Sequence, residues 1–333
     1  MNQDERKKFW DVLLTMHDAE PEHIQKLHET ITVPHKLCRF RSVSESSLAQ
    51  LQENRLYFST ADYYDDPFDT YFYVDYRYLE NLLLAINSMM KGQDGEKAAL
   101  NILSMCGFSS DAAQNSLKLS AQNPLTIQQL QVWVENVHSQ ILKTLYTICF
   151  CEDPLNETLW LKYADNHRGF VIVYDFYDGE TDLCRKEAKC AKCLINLSPP
   201  SLYPVYYSDA KYDATRYAMA LLLKDSLSCS NIPIPEILKN AIYSRSLWEI
   251  ERVSLIKKSC HAFDGEWRMI CSQLSTSRPS IKLKPKSVFI GLRTPQYKER
   301  LIISAATVAG IKDIRKIQIN RKDELEAVPI ETK

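Results

Sequence analysis

Residues 145–176 read LYTICFCEDPLNETLWLKYADNHRGFVIVYDF, and their pattern decides the fold. The first seven residues (145–151) form a short apolar run, the pattern of a β-strand. GFVIVYDF at 169–176 is apolar almost throughout, the mark of a strand buried on both faces. WLKYADNHRG between them reads as a helix end followed by a polar turn.

Working outward, further strand candidates lie at 37–43 (LCRFRSV), 55–60 (RLYFST), 203–209, 266–273, 280–284, 287–292 and 313–319. Ser44 is placed to cap a helix that follows the first of these. Helices are expected over 3–30, 212–227, 234–258 and near 295–304. Residues 78–145 change character. Leu79, Leu82, Leu83, Ile86 and Met90 keep helical spacing, as do Ile127, Leu130, Val134, Val137 and Ile141. The expected fold is α+β: a mixed, mostly antiparallel sheet, either continuous or split, with a helical insert and flanking helices. The expected organisation is a helical segment at 1–34, one α+β domain at 35–320 and a tail at 321–333. That domain carries the insert at 78–145 and a Cys-containing loop at 178–200.

The chain has 333 residues, 45% hydrophobic and 25% charged, average for a globular protein. Its 41 Lys and Arg balance 42 Asp and Glu. A general nucleic-acid coat or membrane-surface binder carries a basic excess, which is absent, although a local basic groove for nucleic acid stays open. No apolar stretch is long enough to span a bilayer, and the N-terminus lacks a signal-peptide pattern. Ten scattered cysteines fit reduced thiols in a cytoplasmic protein. Only eight glycines occur, with neither GxGxxG nor GxxxxGK[ST]. That argues against a Rossmann dinucleotide fold and a P-loop, and leaves other nucleotide-binding architectures open.

Three polar constellations sit inside strand-like sequence. Arg39 and Arg41 alternate with Phe40, so the two arginines share a sheet face. They can grip a phosphate pair or a carboxylate, or simply be solvated. Ser59-Thr60 runs into Asp62, Tyr63, Tyr64, Asp65, Asp66 and Asp69. These acids suit a hard cation, but also turns and caps, and their spacing is not that of an EF-hand. Glu266 and Arg268 flank Trp267 on one strand face. A cross-strand ion pair and a catalytic acid both use that arrangement. His167 stands beside a polar turn, where a satisfied turn histidine is the plainer role. Cys184, Cys190 and Cys193 have a C-x5-C-x2-C spacing. They offer part of a structural zinc site, with Cys229 or a histidine as the fourth ligand, or free surface thiols.

Together, LCRFRS, RLYFSTADYYDDPFD, CFCEDPLNETLWLKYADNHRGFVIVYD and GEWRMI resemble the bacterial family called domain of unknown function 2971 over about residues 36–292. That family pairs an arginine strand with an N-D-P-F-D turn, a W-x-x-Y-A-D-x-H-x-G segment and an E-W-R strand. This chain departs from it at Asp65, where Asn is usual, and at Cys151, where Ser is commoner. The family name implies no activity.

A looser resemblance is to ADP-ribosyltransferases, which bind NAD on a small split sheet with an Arg, Ser-Thr, Glu set. It implies that Arg39 holds the NAD phosphates or ribose and that Ser59 and Thr60 shape the nicotinamide pocket. Tyr63 or Tyr64 would stack on the nicotinamide ring, and Glu266 would stabilise the oxocarbenium-like charge. Arg41, Asp66, His167 and Arg268 join the expected binding set.

The leading functional expectation is an NAD-using transferase, a toxin or phage-defence effector with a macromolecular or small-molecule target. One alternative is a metal-dependent phosphodiesterase or nuclease using Asp65, Asp66, Asp69 and Glu266, with His167 as base. The other is a non-enzymatic interaction module in which these motifs only fix the fold.

Overall fold

The structure is a computed structural model, and it describes residues 1–18, 20–80, 111, 127–176, 201–218, 220–221, 248–271 and 278–330. Cys184, Cys190, Cys193 and Cys229, the Cys-containing loop and most of the helical insert lie outside these residues.

The strands are β1 (Lys36–Arg41), β2 (Arg55–Tyr57), β3 (Ser59–Thr60), β4 (Phe72–Tyr73), β5 (Tyr146–Cys151), β6 (Phe170–Asp175), β7 (Ser201–Pro204) and β8 (Tyr206–Tyr207). They continue with β9 (Tyr212–Asp213), β10 (Ile256–Lys257), β11 (Glu266–Cys271), β12 (Ser280–Lys282), β13 (Pro285–Ile290), β14 (Asp313–Ile319) and β15 (Leu325–Pro329). The helices used below are α1 (Gln3–Thr15), α2 (Pro21–His28), α3 (Glu45–Gln52), α4 (Ile127–Thr144), α5 (Glu157–Tyr163), α6 (Glu249–Ser254) and α7 (Gln296–Val308).

A nine-stranded sheet organises the molecule, in the order β15-β14-β13-β6-β1-β5-β11-β7, with β3 also on β5. All its pairings are antiparallel except β13 with β14, which α7 connects. The fold is therefore α+β with a mixed, mostly antiparallel sheet. The near-continuous apolar run of β6 follows from its place between β1 and β13, covered on both faces. Ser44 caps α3 as its sequence implies, accepting from the Ser47 amide. The expected strand at 55–60 is two short strands on different partners: β2 pairs β12 and β3 pairs β5. Residues 325–329, expected within a tail, form the edge strand β15 against β14.

Alternation along the strands assigns each residue to a face. On one face Leu37, Phe150, Ile172, Trp267 and Val288 pack under Leu51 of α3 and Ile302 and Ala305 of α7. The other face has two coverings. α5 brings Leu159 and Trp160 onto Cys38, Phe40, Val171 and Phe289. α1, α2 and α4 pack against Tyr203, Val205, Tyr207 and Ile270 at the β11–β7 side. The seam between these two coverings runs along β5, and polar residues occupy it.

β5 is also where the sheet opens. It pairs with β11 along its whole length, from Glu266↔Cys151 to Cys271↔Tyr146. On its other edge it meets β1 at Cys38↔Cys151 only, then β3 at Ser59↔Thr147 and Thr60↔Tyr146. Arg39, Phe40 and Arg41 would oppose Phe150, Cys149 and Ile148 in a regular ladder, but no pairing forms there. β1 instead stays on β6 through Arg41↔Phe170. The sheet is thus split between β1 and β5.

Candidate functional site

A cavity of about 190 Å³ lies at this split. β1 contributes Arg39, Phe40 and Arg41, and β5 contributes Cys149 and Cys151. The turn after β3 supplies Tyr63, Tyr64, Asp65, Asp66 and Asp69. Tyr163, Lys257, Asp264, Glu266 and Arg268 complete the lining. Its volume lies below the ~300–1,000 Å³ usual for sites that enclose a drug-sized ligand. It can hold a small molecule or one end of a larger one.

The wall formed by β10 and β11 carries a buried charge network. Arg268 is 1% exposed. Its Nη1 and Nη2 donate to the two oxygens of Asp69 at 2.8 and 2.6 Å, and its Nε donates to Glu266 Oε1 at 2.7 Å. Lys257 Nζ donates to Asp264 Oδ2 at 2.8 Å and to Glu266 Oε2 at 3.0 Å. Burial would raise the Glu266 carboxyl, but Arg268 and Lys257 beside it hold it well below the usual carboxylate range. Burial would likewise lower Lys257, yet Glu266, Asp69 and Asp264 raise it. The main chain of Glu266 is clamped as well. Its N–H donates to the Tyr207 hydroxyl at 2.7 Å, and its carbonyl accepts from Arg6 of α1 at 2.8 Å.

Sequence alternation placed Glu266 and Arg268 on one face, and the structure agrees. Trp267 packs in the opposite core while Glu266 and Arg268 face the cavity.

The β1 wall is different. Arg39 lies over the Phe150 ring, 5.8 Å from its centroid, and its buried Nη1 has no hydrogen-bond partner. Arg41 reaches Gln50 Oε1 at 3.2 Å. Among the described residues no carboxylate comes within ion-pair distance of either guanidinium. Burial lowers Arg39, and repulsion from Arg39 followed by burial lowers Arg41 to about 10. A third cation, Arg278, adds to both effects from the flank. Two adjacent guanidiniums held without counter-charge have the chemistry to take an anion.

The turn after β3 is held at several points. Asp66 Oδ1 accepts from the Phe68 amide, and its Oδ2 lies 3.2 Å from His261 Nε2. Asp69 is the bidentate partner of Arg268. Tyr64 and Tyr63 diverge. The Tyr64 hydroxyl forms a short hydrogen bond with Thr147, and Arg268 lies 4.9 Å over its ring. That ring face is occupied. Tyr63 is 79% exposed at the cavity mouth, so its ring is available to stack on a ligand.

The structure thus brings Arg39, Arg41, Tyr63, Tyr64, Asp66, Glu266 and Arg268 into one cavity lining. Ser59, Thr60 and His167 are not in it. Ser59 Oγ instead accepts from Arg278 at 2.9 Å. His167 stacks on Trp160 with centroids 5.9 Å apart and an 8° interplanar angle. Asp165, Asn166 and His167 all have left-handed φ (49°, 53° and 66°), a turn for which these residue types are the least costly after glycine. The turn lets the His167 carbonyl accept from the Arg293 amide, joining it to the end of β13. Burial, then Arg293, lowers the His167 imidazole, which favours a neutral ring.

Among the further lining residues, Lys257 carries no signal in the sequence, while Tyr163 and Cys149 stand inside the quoted motifs with no site role assigned to them there. No motif surrounds Lys257. Its role depends on β10 pairing with β8 beside β11.

The alternative cation set of Asp65, Asp66, Asp69 and Glu266 is not arranged for a metal. Both oxygens of Asp69 and of Glu266 already face Arg268 or Lys257. Among the described residues no group of three or more His, Cys, Asp or Glu could hold a metal ion. No helix of the described residues is long and apolar enough to cross a membrane.

Comparison with family models, curated proteins and solved structures gave no match to this chain.

Proposed function

We propose that the split between β1 and β5 binds NAD and that the protein is an ADP-ribosyltransferase-like enzyme, acting as a toxin or defence effector. The observation that carries this reading is that Arg39 and Glu266, on opposite sheet faces by alternation, both line one cavity where the sheet opens between β1 and β5, the neighbour of β11. The resemblance to ADP-ribosyltransferases calls for that pairing of residues on a split sheet. The resemblance to the domain of unknown function 2971 family is compatible with it, since the same motifs supply both walls.

In this reading Arg39 and Arg41 take the diphosphate. The exposed Tyr63 ring stacks on the nicotinamide. The cavity holds the nicotinamide ribose end, and the remainder of the dinucleotide lies across the mouth. Glu266 accepts a ribose hydroxyl. Each carboxylate oxygen can accept a second hydrogen bond, so its pairs with Arg268 and Lys257 leave capacity. As the glycosidic bond lengthens, its electron pair leaves with nicotinamide and positive charge grows on the ribose. The fixed carboxylate stabilises that charge without reorganising. A nucleophile on the acceptor then bonds to the same ribose carbon and loses its proton.

The test is incubation with labelled NAD and cell lysate, wild type beside Glu266→Gln. The expected outcome is label transfer by wild type that falls about 100-fold or more in the variant, with the variant's folded state checked by thermal melting. No transfer by wild type, or equal transfer by a folded variant, overturns the proposal and leaves the network a structural device.

A further inference from the structure

Two polar atoms in the cavity lining are buried and have no hydrogen-bond partner: Arg39 Nη1 and Asp264 Oδ1. Buried polar groups are rarely left unpaired, and an unpaired one that lines a cavity is open to a partner held there. One is a cationic donor and the other an anionic acceptor. They belong to different walls. Arg39 is on β1, while Asp264 ends the 3-10 turn that leads into β11 and is 3% exposed.

The charges around them are segregated in the same sense. The β1 wall presents Arg39 and Arg41 without a carboxylate. By alternation these arginines lie on the Leu37 face of the sheet and reach the cavity through its opening, while the rest of the lining presents Asp65, Asp66, Asp69, Asp264 and Glu266 against only Lys257 and Arg268. Lys257 reaches Asp264 through Oδ2 alone, which leaves Oδ1 open. His261 approaches the same carboxylate, but through Oδ2 and at 3.9 Å.

We infer that the cavity is a bipolar site for a ligand with an anionic phosphate at the Arg39 end and a cationic N–H group at the Asp264 end. A ligand with only one of these charges leaves one orphan atom unpaired and meets the wrong field at its other end. The inference rests on this cleft being a ligand site, the reading proposed above. It does not require the ligand to be NAD, whose cationic ring nitrogen carries no N–H and which shares only the separation of anionic and cationic ends.

The experiment is isothermal titration of the full chain with phosphoethanolamine, ethyl phosphate and ethylammonium as probes. Phosphoethanolamine and ethyl phosphate share the phosphate and the two-carbon arm, and differ in the ammonium. Phosphoethanolamine is expected to bind at least about tenfold more tightly than either single-charge probe, as one added charge-assisted hydrogen bond implies. Asp264→Asn should erase its advantage over ethyl phosphate, and Arg39→Met its advantage over ethylammonium. Ethyl phosphate binding as tightly as phosphoethanolamine, or no measurable binding of phosphoethanolamine, overturns the inference. Both of these outcomes are read on wild type, so they hold even if a variant fails to fold. Turnover of NAD is a separate readout. Its absence alongside tight phosphoethanolamine binding removes the NAD reading and keeps the bipolar site.

Discussion

Asp69 shows how much a single residue does here. It is 6% exposed and binds Arg268 by both oxygens, tying the turn after β3 to the middle of β11. Removing one partner of such a buried pair leaves the other charge uncompensated, which costs about 3–5 kcal/mol. Asp69→Asn is therefore expected to lower unfolding free energy by that amount in urea titration, whereas Asp62→Asn, at an exposed position, should change it little. Alternation alone makes the pairing of Glu266 with Arg268 legible, because residues two apart on a strand share a face. The four-way arrangement with Lys257 and Asp69 is not legible. It depends on two chain segments about 190 residues apart meeting over β5, and neither segment carries a spacing that announces it. The Asp cluster also misleads by number. Four acids suggest a cation, but Asp69 serves Arg268, and Asp66 serves the turn and His261.

At the scale of elements, the opening between β1 and β5 depends on what holds β1 away. β1 keeps its ladder with β6, and Gly169, just before β6, lets the end of β1 approach closely. A Cβ at Gly169 would lie 2.1 Å from the Arg41 carbonyl oxygen. Gly169→Ala must therefore move backbone. The expected result is a loss of about 1–3 kcal/mol in a denaturant melt, together with weaker phosphate binding, because Arg41 moves with β1. Most strands are legible from apolar runs and alternation, and β6 most clearly. β15 is not. Residues 321–326 read RKDELE, a charged stretch, and Leu325 and Ala327 turn partly inward, against the core under α5. The break of 55–60 at Phe58 is also hidden, since a continuous β-prone run does not show that its two halves pair with different strands.

At the scale of the whole molecule, α1 is fastened directly to the site. Arg6 is 2% exposed, and its guanidinium donates to the carbonyls of Val205 and Glu266 and to Glu152 Oε1. Trp267 Nε1 donates to that same Glu152 oxygen. Arg6→Met should leave the Val205 carbonyl without its donor, at about 1–3 kcal/mol if it stays dry, while the Glu266 carbonyl keeps the Val205 amide and Glu152 keeps Trp267, and the loss should appear as a lower melting temperature. Acid sensitivity follows from Glu266. Its carboxyl is held low in the fold, so it contributes stability that is present above its unfolded value of about 4.3 and lost as pH falls below that. Wild type should lose melting temperature steeply from pH 5 to pH 3, and Glu266→Gln less steeply.

If the two walls of the split sheet act on one ligand, each wall should affect its turnover in a different way. The measurement is the rate of nicotinamide release from NAD, followed by chromatography, for wild type, Arg39→Met and Glu266→Gln, each shown to be folded. Wild type is expected to release nicotinamide, with the Arg39 change acting mainly on KM and the Glu266 change mainly on kcat. Release at wild-type rates by both folded variants, or no release by wild type, would contradict a shared NAD site.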